Sequence, residues 1–250
     1  MAPREPNAVE TTPSGIEIAF YDSVGVDGEK QQRRYLVDGE RVVSVTTALG
    51  ALSKGDALIW WALNLERKGE DWREVRDEAA RRGTAQHHLL LRAMLGERTS
   101  LGDLDVEHRV WGQAAYRWLR DREPEVVEAE RMVACPLYRY AGRFDLLSVI
   151  DGELTIVDFK TISEWKADQS GRRRPPYAEN LLQLDLYAAA LPPSGYEPVE
   201  RGLIVRLGPD GTYDETFCEI NTARGLDVLG AYESKRAAER ALRESAKAAA

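Results

Sequence analysis

Cysteine is nearly absent from this chain. Cys135 and Cys218 are the only two in 250 residues, so a four-cysteine zinc or iron–sulfur site is excluded, and no iron–sulfur cluster is expected. Both lie in strand-like runs and read as buried, reduced and inert thiols. No apolar run reaches the roughly 18 residues needed to span a bilayer, so no membrane partner is expected. The opening stretch, residues 1–15 (MAPREPNAVETTPSG), lacks the apolar core of a secretory signal and reads as a disordered lead-in to a cytoplasmic protein. Basic charge is short as well. The 34 Lys and Arg stand against 42 Asp and Glu, a net charge of −8, which argues against a non-specific nucleic-acid coat, because such binding rests on neutralising phosphates. Neither repeats nor heptads emerge. What is present, 43% hydrophobic and 30% charged residues, suffices for a full core in one domain over residues 16–250.

The chemistry concentrates between residues 141 and 191. Residues 144–150 (FDLLSVI) and 153–161 (ELTIVDFKT) are rich in β-branched and aliphatic residues, and the Asp151-Gly152 pair between them is a strong hairpin signal. A two-residue turn sets Asp145 opposite Asp158 and Arg143 opposite Lys160, all on one face. Opposed like charges about 5 Å apart repel, so the two carboxylates call for a cation. A hard divalent ion fits, since Mg²⁺ takes oxygen ligands and is commonly held by one or two carboxylates plus substrate phosphate. Lys160 projects toward the same spot, where an ammonium can orient a water or offset developing negative charge.

Periodicity places further elements around this hairpin. Residues 16–22 and 33–45 read as short strands, the second turning at Asp38-Gly39, in a small sheet or flap. Ser44 or Thr46 is set to cap a helix that starts near Thr47, and a helix N-terminus is a ready anion site. Asp56 to Lys68 is helical, with Leu58, Trp61, Ala62 and Leu65 on one face. Trp60 and Trp61 there suit either core packing or stacking on bases. A helix from about Trp72 to Leu95 carries Ala80, Thr84, His87 and Leu91 at three–four spacing. His87 therefore faces inward, as a core histidine or a metal ligand, and His88 lies on the surface.

Residues 105–122 form an amphipathic helix with Val106, Val110, Ala114 and Leu119 among its apolar positions, stopped by Glu123-Pro124; His108 sits exposed among charges. Glu125 to Cys135 is a strand in which Glu130 reads as a structural ion pair rather than a ligand. After Lys160 the chain leaves the sheet through a loop carrying Lys166, Arg172, Arg173 and Arg174, the dense basic cluster of an acidic chain. Its place beside the metal site favours phosphate contact. The helix from Tyr177 to Leu191 puts Asn180, Gln183 and Tyr187 on one stripe. A second hairpin (201–207 and 212–220) and a long helix over 222–247 follow.

The pairs Gly142/Asp145, Asp158/Lys160 and Gln183/Tyr187 resemble the G-x-x-D, D-x-K and Q-x-x-x-Y motifs of the PD-(D/E)XK nuclease superfamily, in particular its RecB-type exonuclease branch. Gly83 to His87 is similar to the G-x-x-x-H helix of that branch. Ser44 to Leu49 (SVTTAL) resembles the S-V-T-x-x-L opening of phage members and of the mitochondrial genome maintenance exonuclease. The resemblance implies an α/β fold with a central mixed β-sheet flanked by helices, a restriction-endonuclease-like core. It also implies a divalent-metal-dependent DNA exonuclease that hydrolyses phosphodiester bonds at ends or in single strands, in phage or bacterial DNA recombination, repair or replication.

By the same resemblance, Asp145 and Asp158 hold Mg²⁺ or Mn²⁺ together with His87 and the Phe159 carbonyl, and Lys160 orients the attacking water. Gln183 and Tyr187 stand on the site rim, and Ser44, Lys166, Arg172, Arg173 and Arg174 contact the nucleic acid. The alternative is a catalytically silent DNA-binding or recombination accessory protein on the same fold. Its mark is loss of Asp145, Asp158 or Lys160, and all three are present.

Overall fold

In the computed structural model, which describes residues 5–24, 33–52 and 57–248, the chain begins with an antiparallel meander. Its strands are β1 (Ala8–Thr11), β2 (Glu17–Tyr21), β3 (Arg34–Val37) and β4 (Glu40–Ser44). The strands expected at 16–22 and 33–45 are therefore present. The expected disordered lead-in is corrected: Ala8–Thr11 pairs with β2, and the Glu10 carboxylate accepts a hydrogen bond from the Met132 backbone at 2.9 Å. What orders this polar segment is a contact with a strand more than a hundred residues away, which local composition does not report. The first four residues of the lead-in, and Asp56 at the start of the expected helix, lie outside the described residues.

The main sheet comprises β5 (Glu125–Cys135), β6 (Tyr140–Ile150), β7 (Glu153–Thr161), β8 (Arg201–Leu207) and β9 (Tyr213–Glu219). Neighbours are antiparallel except for β7 with β8 and β4 with β6, which run parallel. The meander and the main sheet thus form one mixed sheet. Asp151 and Gly152 both have positive φ, 54° and 80°, as do Asp38 and Gly39, 47° and 81°. That is the two-residue turn whose twist suits a hairpin, and Asp-Gly adopts it readily.

Helices cover both faces of the sheet, as the expected fold requires. They are α1 (Val45–Ala48), α2 (Ala57–Arg67), α3 (Trp72–Met94), α4 (Arg109–Arg122), α5 (Ala178–Ala190) and α6 (Thr222–Ala248). Phe144, Leu147, Ile156 and Ile204 pack with α5 and α6, while Leu146, Val157, Phe159 and Leu203 pack with α3 and α4. Trp118 of α4 meets Phe159 edge-on at 5.0 Å, anchoring the residue between Asp158 and Lys160 from the far face. None of the helices, among the described residues, is long and apolar enough to cross a membrane.

Three expectations about helix faces need correction. Leu58 and Val106 are exposed, because apolar spacing marks a face without guaranteeing a neighbour for it. On α3 the buried stripe is Arg82, Gln86, Leu89 and Leu90, while Ala80 and Thr84 are exposed. Arg82 survives there by laying its guanidinium over the Trp111 ring at 4.5 Å. His108 is buried, held by Glu78, and its carbonyl accepts from Gln86 at 3.0 Å. Charged neighbours in sequence gave no sign of that pocket.

Candidate active site

The site forms where the strands part. The β6–β7 ladder ends at Leu146 opposite Val157, and the parallel β4–β6 ladder ends at Ser44 opposite Ala141. Between those limits β6 turns its Gly142–Asp145 edge toward a gap. Asp145 Oδ2 accepts the Phe159 backbone N–H at 2.7 Å, so a side chain replaces the missing ladder bond. Side-chain alternation also slips by one here. Phe144 and Leu147 lie on the α5 face, but Leu146 and Ile150 lie on the α3–α4 face, which a regular strand of period two does not allow. The hairpin register is the expected one as far as Leu146 opposite Val157, but neither Asp145 with Asp158 nor Arg143 with Lys160 is a ladder pair. The strands have separated by then, and Arg143 lies over the Phe20 ring at 5.6 Å, with Glu10 3.8 Å away.

A matching irregularity occurs on β5. Glu130 has φ of +51° in the middle of a strand, a left-handed conformation that costs a non-glycine residue about 1–3 kcal/mol and collects at functional sites. Its Oε1 lies 3.1 Å from His87 Nδ1, with Asp145 Oδ1 at 3.4 Å and the Phe159 carbonyl 3.2 Å from Nε2. Both ring nitrogens thus face oxygen acceptors, as an imidazolium requires. Burial opposes that charge, but Asp145 and Glu130 outweigh it and raise the His87 pKa to about 9. His87, Glu130 and Asp145 offer ligand atoms all within 4.8 Å of one another.

Asp158 is 1% exposed. Lys160 Nζ donates to its Oδ1 at 2.9 Å and stands 2.7 Å from Oδ2, but off the hydrogen-bonding direction, leaving that buried oxygen without a directed donor. Burial, abetted by the Asp145 charge and opposed by Lys160, pushes the Asp158 carboxyl up to about 6. Asp145 is also raised, first by burial, despite His87 and Lys160. Lys160 in turn donates to Gln183 Oε1 at 3.2 Å, and Gln183 Nε2 donates to the Tyr187 hydroxyl at 3.1 Å. Carboxylates from Glu130 and Asp145 with the His87 imidazole make a set that fits a divalent cation; Asp158, paired with Lys160, stands outside that cluster.

His87 and Asp145 of the expected ligands share one cluster, and Asp158 is linked through Lys160 and Gln183 to Tyr187. The cluster adds Glu130, which sequence reasoning set aside as an ion pair. The signal was there. Apolar alternation along β5 breaks at Glu130-Arg131 before the run from Met132 to Cys135, as it does when a strand changes phase. Tyr187 is buried rather than at a rim, because Gly142 lets α5 approach β6. A Cβ at Gly142 would stand 2.6 Å from Tyr187 Cε1 and 2.9 Å from Val45 Cγ2. Gly142→Ala is therefore expected to lose about 1–3 kcal/mol to overpacking, read as a lower denaturant midpoint; an unchanged midpoint would mean that the contact relaxes freely.

The expected nucleic-acid contacts divide. Ser44 lines the site cavity of about 350 Å³ and caps α1, its Oγ accepting from Thr47 N at 3.1 Å; the helix begins at Val45, two residues earlier than expected. The basic loop is occupied with itself. Arg173 stacks on Trp165 at 3.6 Å and donates to Thr212 and the Tyr213 carbonyl, Arg174 donates to the Ala167 carbonyl, and Lys166 pairs with Glu164 at 3.1 Å. The Arg172 backbone is tied to Asp168. None of the four lines the site cavity.

Three comparisons bear on this arrangement. A family model described as the PD-(D/E)XK nuclease superfamily matches residues 52–249. No curated protein matches the chain. Among solved structures, the chain is similar to an alkaline exonuclease (LHK-Exo) from Laribacter hongkongensis, at 12% identity and a TM-score of 0.41, over 84% of this chain and 95% of that one. It is similar also to LHK-Exo in complex with dAMP, at 13% identity and a TM-score of 0.41, over the same shares of 84% and 95%.

Proposed function

This chain belongs to the PD-(D/E)XK nuclease superfamily, and on that footing we propose that it is a divalent-metal-dependent DNA exonuclease acting on ends or single strands. The observation that carries the reading is the pair of buried carboxylates, Asp145 and Asp158, with Lys160 fixed on the second. Two such carboxyls side by side, each raised by burial, are costly in a structural role, whereas a cation would relieve both. Asp145, Glu130, Asp158, His87 and the Phe159 carbonyl would hold Mg²⁺ or Mn²⁺. Bound there, the ion supplies Lewis-acid stabilisation of charge on the scissile phosphate.

The chain's own residues do the rest. Asp158 orients the Lys160 ammonium, which positions the attacking water and meets charge developing on the phosphate. Gln183 limits the swing of that ammonium, and Tyr187, kept neutral by burial, holds Gln183. Both are positioning residues, acting through Lys160. Glu130 and Asp145 keep the His87 ring turned toward the site. The silent accessory alternative gains nothing here, since Asp145, Asp158 and Lys160 are all in place.

The test is incubation with end-labelled linear DNA and with covalently closed circular DNA. Cleavage of the linear form with Mg²⁺ or Mn²⁺, its loss in EDTA and its inhibition by Ca²⁺, which relaxes the coordination geometry, are expected. Robust cutting in EDTA would remove the metal mechanism, and equal cutting of closed circles would remove the exonuclease assignment.

A further inference from the structure

In the loop read as the phosphate contact, Arg173, Arg174 and Lys166 are engaged with neighbouring residues, and the fold assembles arginine elsewhere as well. A groove of about 1080 Å³ runs between the β3–β4 hairpin and α6. Among the described residues, six arginines line it, Arg33, Arg34, Arg41, Arg139, Arg236 and Arg240, with one acidic residue, Glu233. Arg139 donates to Glu40 at 2.8 Å, and Arg33 is 4.0 Å from Asp22. Arg34 lies over the Tyr21 ring at 3.8 Å.

Arg236 and Arg240 are one helical turn apart on α6, both exposed, and neither has a hydrogen bond or ion pair among the described residues. Like charges at that spacing destabilise a helix. In a chain of net charge −8, two exposed arginines without a carboxylate partner among the described residues are open to an anion. At about 1080 Å³ the groove stands at the upper end of the roughly 300–1,000 Å³ of small-molecule pockets, with room for a segment of a polyanion.

It is also continuous with the site. Arg33, Tyr35, Ser44 and Thr46 line both the groove and the site cavity. The cavity it feeds, about 350 Å³, is on the scale of a nucleotide. Tyr232, packed against the core below, lies on the α6 wall of the groove. We propose that this groove carries the phosphodiester backbone of a single nucleic-acid strand to the site, an inference that rests on the nuclease reading.

The test is binding of a short fluorescent single-stranded oligothymidylate in EDTA, by anisotropy across a salt series, for wild type and for Arg236→Ala/Arg240→Ala. Both positions are exposed and alanine is the better helix former, so the variant is expected to fold, with circular dichroism as the check. The slope of log affinity against log salt should flatten by about 1.4, at about 0.7 per phosphate released from a single strand, and Arg236→Lys/Arg240→Lys should restore it. An unchanged slope overturns the groove. A loss confined to a duplex of the same length overturns the single-strand assignment. Cleavage by the same wild-type preparation with Mg²⁺ separates the two readings: cutting with an unchanged slope sinks the groove alone, while no cutting with a flattened slope sinks the nuclease and leaves the groove as a strand-binding surface.

Discussion

Asp158→Asn and Lys160→Ala are expected to reduce cleavage of linear DNA by at least about a hundredfold, the scale set by removing one electrostatic donor at a reacting centre, with the fold retained. Both side chains are engaged mainly with each other and with Gln183. In the ion-free protein, holding Asp158 charged at neutral pH with its carboxyl pushed from 3.8 to about 6 costs on the order of 3 kcal/mol. Asp158→Asn should therefore melt no lower than wild type in EDTA.

The pH dependence follows in sign. A folded state that binds the Asp158 proton more tightly than the unfolded chain is stabilised by it below 3.8, and that stability is lost as pH rises through about 6. Melting curves of wild type and Asp158→Asn between pH 4 and 6 check this: the decline attributed to Asp158 should be absent from the variant. Near-full activity in either variant would mean that the centre lies elsewhere.

His87→Ala should weaken metal binding and change its pH profile. With a pKa of about 9 in the ion-free protein, the imidazole must release a proton before it can accept a cation. Apparent affinity should then rise about tenfold per pH unit up to about 9, since binding expels one proton. His87→Ala abolishes that climb, and its lost activity should return in part at high Mn²⁺, which accepts imidazole more readily than Mg²⁺ does.

The stability linkage has the same direction as for Asp158. The His87 charge stabilises the ion-free fold fully below 6.5, and the contribution is lost as pH rises through 9. Titrating Mn²⁺ activation of wild type and variant at several pH values decides the matter. A destabilised variant with an unshifted metal curve would make His87 a strut between Glu130 and Asp145.

The hairpin is the part of this protein that sequence determined unaided. Asp151-Gly152 dictates a two-residue turn, and the turn dictates the register as far as Leu146 opposite Val157, which leaves Asp145 and Asp158 as the next residue on each strand. Lys160 follows Asp158 by the strand period of two, and Gln183 and Tyr187 share a stripe because α-helices repeat every 3.6 residues. These relations are local, involving short separations along the chain and fixed backbone geometry.

Tertiary structure decided the rest. Glu130 became a partner of His87 only because β5 and β6 slip phase at the same level, a feature of two paired strands that neither shows alone. The ordering of Ala8–Thr11 depends on Glu10 finding the Met132 backbone, and the burial of His108 depends on Glu78, thirty residues away. The basic loop drew attention because its arginines are consecutive, yet its neighbours Trp165, Thr212 and Tyr213 consume Arg173. The groove arginines are scattered from Arg33 to Arg240 and leave no run to notice. Charge adds up in space, over a distance of about 10 Å set by screening, and chain order carries no record of which distant residues folding will place within it.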